Sequence, residues 1–176
     1  MRAYGPLIGA LVACAACSGS DSTTVGVTPT VDASVSDASA PSAELGTGGR
    51  SWQALPSCGS GESEVVHGPQ GGYHIFGRVR YRGLPSDVYV TYRVLSLDGA
   101  RLLTDDRDRL RRSPGHGLLQ TSGGFESTSG ELVILQIQNP AEVTGQRFRF
   151  EVRVQDANGA AMISDAREVT IVDNEP

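Results

Sequence analysis

An alternation of apolar and polar residues with a period of two constrains the fold of this chain more than any other feature. Tyr73, Ile75, Val79 and Tyr81 alternate with His74, Phe76, Arg78, Arg80 and Arg82. Val88, Val90, Tyr92 and Val94 alternate with Asp87, Tyr89, Thr91 and Arg93. Phe148, Phe150, Val152 and Val154 alternate with Arg147, Arg149, Glu151 and Arg153, and Val133, Leu135 and Ile137 with Leu132, Ile134 and Gln136. Successive side chains of a strand point to opposite faces, so this pattern is that of half-buried antiparallel strands. No window carries a helical stripe of useful length.

Turn residues punctuate the runs. Asp98-Gly99 and Asn158-Gly159 suit tight hairpins in which the glycine takes a positive φ. Gly83-Leu84-Pro85-Ser86-Asp87 and Asn139-Pro140 break two others. The runs near 50–55, 63–67, 72–83, 87–97, 100–110, 117–126, 131–138, 146–156 and 161–172 read as eight or nine strands, the first two being the weakest. The charged run Thr104–Arg112 interrupts the pattern and reads as an edge strand or an excursion. The expected fold is all-β, an antiparallel β-sandwich, Ig-like or fibronectin-III-like, with a closed barrel as the alternative. Trp52 and Tyr92 are the expected core aromatics.

Ahead of this domain, the chain reads as a targeting leader and a tether. Residues 1–17 hold one Arg and the short apolar run Leu7–Ala13, too short to span a bilayer and typical of a secretory leader. Leu11-Val12-Ala13-Cys14 looks like a bacterial lipobox, and Ala15-Ala16-Cys17-Ser18-Gly19 is a second candidate. Lipid attachment is therefore expected at Cys14 or Cys17, which anchors the chain to a membrane. The residue after either cysteine is not Asp, which favours delivery to the outer membrane of the cell envelope. In residues 18–45, eleven of 28 are Ser or Thr and none is aromatic. Such a stretch buries too little to offset ordering entropy, so it reads as a disordered linker with a span of roughly 30 Å. The β-domain then occupies 46–176.

All 15 basic residues are Arg, and the chain has no Lys. This removes P-loop, Schiff-base and Ser–Lys chemistries. The net charge of −5 sits mostly in the linker. From 46 onward, fourteen Arg stand against sixteen acidic residues, a balance that gives no pull toward nucleic acid.

Three segments carry a resemblance. Glu44-Leu45-Gly46-Thr47-Gly48, His67-Gly68-Pro69-Gln70-Gly71-Gly72-Tyr73-His74 and Val152-Arg153-Val154-Gln155-Asp156-Ala157-Asn158-Gly159 resemble uncharacterised lipoproteins of myxobacterial type. In these, a lipobox and a Ser/Thr-rich linker precede an Ig-like β-sandwich with a Gly-Pro-Gln-Gly-Gly turn. The resemblance implies an address and a fold. It implies no activity and no site residue.

Candidates for chemistry are few. His67 and His74 flank the Gly-Pro-Gln-Gly-Gly turn, with His116 elsewhere, and read as surface or turn-packing histidines rather than metal ligands. Asp105, Asp106 and Asp108 miss the spacing of a calcium loop. Cys58 is the one cysteine of the domain; if Cys14 carries the lipid, Cys17 is available to pair with it in an oxidising compartment. Arg78, Arg80 and Arg82 share one strand face and Arg147, Arg149 and Arg153 another, with Tyr89 and Phe76 as stacking surfaces.

The reading that follows is a non-enzymatic envelope lipoprotein without a cofactor or metal. Its β-sandwich serves structural or protein-interaction roles, and its partners are the membrane and a protein. The alternative is a carbohydrate-binding module that recognises acidic polysaccharide through Arg78, Arg80 and Arg82.

Overall fold

The computed structural model describes residues 40–69 and 71–174. Residues 1–39, with Cys14, Cys17 and most of the 18–45 segment, lie outside the described residues. The described chain is all-β and sandwich-like. Its strands are β1 (Ser42–Thr47), β2 (Gln53–Ala54), β3 (Ser60–Glu64), β4 (Val66–His67), β5 (Tyr73–Arg82) and β6 (Val88–Ser96). They continue with β7 (Leu110–Pro114), β8 (Gly117–Thr121), β9 (Gly124–Ser127), β10 (Glu131–Leu135), β11 (Arg147–Asp156) and β12 (Met162–Val172). A 3₁₀ turn, Pro140–Glu142, is the one helical element among the described residues.

Hydrogen bonds connect the strands in the order β2-β1-β5-β9-β8-β7-β6-β11-β12-β3, with β4 and β10 also paired to β5. The sheet turns back on itself so that β1 packs on β12 and β11. The Asp165 carboxylate of β12 accepts a hydrogen bond from the Leu45 amide of β1 at 2.8 Å across this closure.

The inward halves of the alternating runs form the core. Ile75, Val79, Val90, Val94, Phe150, Val152, Val154, Val169 and Ile171 are each almost fully buried. In the longest ladder, Val154 faces Val90, Val152 faces Tyr92 and Phe150 faces Val94. Burying each such side chain stabilises the fold by roughly 1.5–3 kcal/mol.

The Asp98-Gly99 and Asn158-Gly159 turns form where expected, with φ of 72° at Gly99 and 76° at Gly159. The Gly-Pro-Gln-Gly-Gly segment is a tight β4–β5 connection, closed by Gly71 N donating to Gly68 O and Gly68 N to Gly72 O, both at 3.0 Å.

Five features differ from the sequence reading. The domain starts earlier: Ser42–Leu45, expected in the linker, belong to β1, and Leu45 is fully buried. A single apolar residue among small polar ones carries no detectable period, so this strand was invisible. The sheet is mixed rather than purely antiparallel, because β3 runs parallel to β12 and β8 parallel to β7. Residues 101–109 form no strand beyond an isolated Leu95–Leu102 bridge, and β7 begins only at Leu110. The 117–126 run is a hairpin of two short strands. Trp52 lies half-buried on the outer sheet face rather than in the core, whereas Tyr92 is 5% exposed inside it.

Candidate functional site

The arginine row singled out on β5 is not an open ligand face. Arg78 is 4% exposed and donates to the Ser127 carbonyl and, at 3.5 Å, to Glu126. Arg80 donates to the other Glu126 oxygen at 2.9 Å and lies 4.0 Å over the Trp52 ring. Arg82 is exposed and donates to the Ser42 hydroxyl at 2.9 Å. One carboxylate thus serves two guanidinium groups, and β1 pairs with β5 alongside Arg78, where Gly46 is its partner. Phe76 is closed off as well, since Gly49 and Gly130 sit against its ring. The cleft of about 470 Å³ beside Arg80 and Arg82 also contains Glu44 and Glu126, so its charges cancel. Of the triplet Arg78, Arg80 and Arg82, Arg78 is buried, while Arg80 and Arg82 stand beside Glu44 and Glu126.

The second arginine row lies on an exposed face. Arg149 and Arg153 of β11 stand beside Arg93 and Tyr89 of β6, because Gln155 pairs with Tyr89 and Glu151 with Arg93. Arg109 reaches over this face, with its guanidinium 4.5 Å from the centre of the Tyr89 ring and a 2.7 Å hydrogen bond to Gln155 Oε1. Arg93 bonds Asp106 at 2.6 Å and Glu151 at 3.0 Å, and Arg153 bonds Glu151 at 3.2 Å. Two shallow depressions of about 270 Å³ and 260 Å³ share Arg93 and Arg153. Arg93, Arg109, Arg149 and Arg153 face three carboxylates, Asp98, Asp106 and Glu151, which leaves an excess of one positive charge. Arg147, the outermost of the row, is paired with Glu168 at 3.4 Å. Arg109 and Arg93 were missed as members of this surface. They come from a loop and a neighbouring strand, and only the register brings them to β11.

The histidines separate. His67 bonds Asp173 at 3.2 Å and meets Tyr73 edge-on, while His74 meets Phe76 edge-on on the opposite face of β5. His116 lies beside Arg111, Arg112 and Asp87. No group of three potential metal ligands occurs among the described residues. The three aspartates of the 104–109 segment shape a turn: Asp105 accepts from the Arg107 amide at 2.9 Å, Asp106 is held by Arg93, and the Asp108 amide donates to the Asp105 carbonyl. Cys58 is exposed and forms no disulfide among the described residues.

Burial pushes the hydroxyls of Tyr81 and Tyr92 well above their ordinary titration range, Asp87 adding to the effect at Tyr81. Hydrogen bonding to Arg111 holds the Asp87 carboxyl below its usual range. Both effects follow from packing and surface ion pairing. No protein-family model, curated protein or solved structure matches this chain.

Proposed function

We propose that this chain is an envelope lipoprotein, lipidated at Cys14 or Cys17 and held at the outer membrane. Its Ig-like β-sandwich is non-catalytic and serves structural or protein-interaction roles. The leader and its cysteines support the anchor. The observation that carries the non-catalytic reading is how the domain spends its charges. Arg78 and Arg80 share Glu126, Arg93 joins Asp106 to Glu151, Arg112 holds Glu131, Arg111 holds Asp87, and Arg167 holds Asp165. All but the last, which lies within β12, tie neighbouring strands and loops together, which is the use a scaffold makes of ionic groups.

Mass spectrometry of the detergent-extracted, processed protein tests the anchor. The expected result is an acylated cysteine at the mature N-terminus, followed by either Ala15 or Ser18. An unacylated N-terminus overturns the reading. A second reading is favoured by the Tyr89, Arg109, Arg149 and Arg153 surface, whose excess of one positive charge and guanidinium stacked on a half-buried ring suit an acidic polysaccharide. A glycan array probed with the full chain carrying Cys14→Ser and Cys17→Ser decides it. Binding lost in Arg149→Ala/Arg153→Ala supports that reading, and equal binding by this variant sinks it.

A further inference from the structure

A largely apolar concavity of the domain lies away from both arginine faces. It is a groove of about 250 Å³ between β10 and the Thr104–Leu110 segment. Tyr92, Val133 and Leu110 line its inner part. The two ends are latched. At one, the Gln136 amide donates to the Leu103 carbonyl at 2.6 Å; at the other, Arg112 grips Glu131 with two hydrogen bonds of 2.7 and 2.6 Å.

Between the latches, β10 has a bare edge. Among the described residues β10 pairs with β5 and with no other strand. Backbone groups of alternate residues point to the same side of a strand. Since the Gln136 amide points away from β5, toward Leu103, the amides and carbonyls of Ile134 and Leu132 point the same way, into the groove. The side chains of these two residues are 58% and 52% exposed for Leu132 and Ile134 respectively. The devices that usually blunt an edge, such as Lys, Pro or an unpaired charge, are missing from this strand. Glu131, its one charged residue, is held by Arg112.

The opposite wall supplies the charge. Asp105 and Asp108 line the groove, and neither carboxylate has an arginine partner among the described residues. Asp106, between them, faces the other way and is held by Arg93.

We infer that this groove docks a short extended segment of a partner protein by strand addition to β10, the segment carrying an Arg or Lys flanked by apolar residues. The partner's backbone bonds Leu132 and Ile134, its apolar side chains lie on those two residues, and its cation sits between Asp105 and Asp108. Charge decides against a second copy of this chain as the occupant, because β10 offers Glu131 and no free cation. This inference rests on the protein-interaction reading above and names its surface.

The test uses the full chain carrying Cys14→Ser and Cys17→Ser, with capped pentapeptides as probes: Thr-Val-Arg-Val-Thr, its Glu counterpart, and the Arg peptide with N-methylated backbone amides. Binding is followed by the amide signals of Leu132 and Ile134. The Arg peptide is expected to shift both signals and to bind about tenfold more tightly than the Glu peptide, a gap of about 1.4 kcal/mol. Asp105→Asn/Asp108→Asn is expected to erase that preference, and Leu132→Lys/Ile134→Lys to abolish binding while the remaining amide signals stay in place. Equal binding of the Arg and Glu peptides, equal binding of the N-methylated peptide, or shifts confined to other strands overturns the inference. So does a dimer that Ile134→Lys dissociates, which assigns the edge to a second copy. If the peptide fails while the N-terminus is acylated, the anchor reading stands and this inference alone falls; the converse result removes the anchor and leaves the groove.

Discussion

The Tyr92 ring occupies the space in front of Gly77. A β-carbon on Gly77 would lie 2.7 Å from two atoms of that ring and 3.0 Å from Val133. The absence of a side chain at this one position of β5 lets an aromatic ring of β6 lie flush against the neighbouring layer. Gly77→Ala is expected to destabilise the domain by about 1–3 kcal/mol through overpacking. Urea denaturation measures this, and an unchanged midpoint would show that the ring moves freely.

Arg78 is a buried cation whose compensation depends on Glu126. Its Nε and Nη1 have no hydrogen-bond partner among the described residues. Removing Glu126 leaves the charge facing only the Ser127 carbonyl. Glu126→Ala is expected to cost about 2–3 kcal/mol, below the range for a fully enclosed pair because Glu126 is partly exposed. Arg78→Met/Glu126→Ala is expected to recover part of that loss, since it removes the unpaired charge. A thermodynamic cycle in which the double variant is less stable than Glu126→Ala would contradict this account.

Leu45 is fully buried although it follows a Ser/Thr-rich segment. Leu45→Ala is expected to cost about 2–5 kcal/mol, as for other core truncations. A chain beginning at residue 46 should therefore melt at a lower temperature than one beginning at residue 40. Equal melting temperatures would return β1 to the linker.

The Glu142 carboxylate accepts hydrogen bonds from the amides of Gln138 at 2.7 Å and Asn139 at 3.0 Å, and from Arg101 at 3.0 Å. The two amides, and then Arg101, hold its pKa below the ordinary carboxylate value. A depressed folded-state pKa means that the ionised form is favoured on folding. The stabilisation is complete above the unfolded-state pKa and is lost as pH falls through the folded-state value. Thermal melts should show this loss below roughly pH 4, and Glu142→Gln should flatten that part of the profile. An identical slope in the variant would assign the acid sensitivity to other carboxylates.

The parts of the fold legible in the sequence were those whose physics is local. The long strands β5, β6, β11 and β12 announce themselves by period, because each buries one whole face. The glycine turns at Gly99 and Gly159 do so by dihedral need. In both turns only the glycine takes a positive φ, Asp98 and Asn158 keeping ordinary backbone angles. Elements that depend on a distant partner were hidden. β3, with sequence Ser-Gly-Glu-Ser-Glu, is a strand only because β12 lies beside it. Likewise, the even-numbered residues of β5 look like one exposed face. The strand beside Arg78 is β1, and its counter-charge comes from β9. Nothing within residues 73–82 encodes either. The groove beside β10 was unreadable for the same reason, since its two walls meet only through register.

The parallel pairing of β3 with β12 bears on how the chain comes to its native state. Ser60 and Thr170, whose hydroxyls meet at 2.8 Å, lie 110 residues apart. β3 therefore has no rung to bond until β12 has been made. Contacts this distant in sequence make folding slow. Until β12 arrives, the β11 flank and the β3 amides stand unpaired and open to foreign strands. A chain cut short before Met162 would retain most of its apolar residues yet lack the piece that seals them.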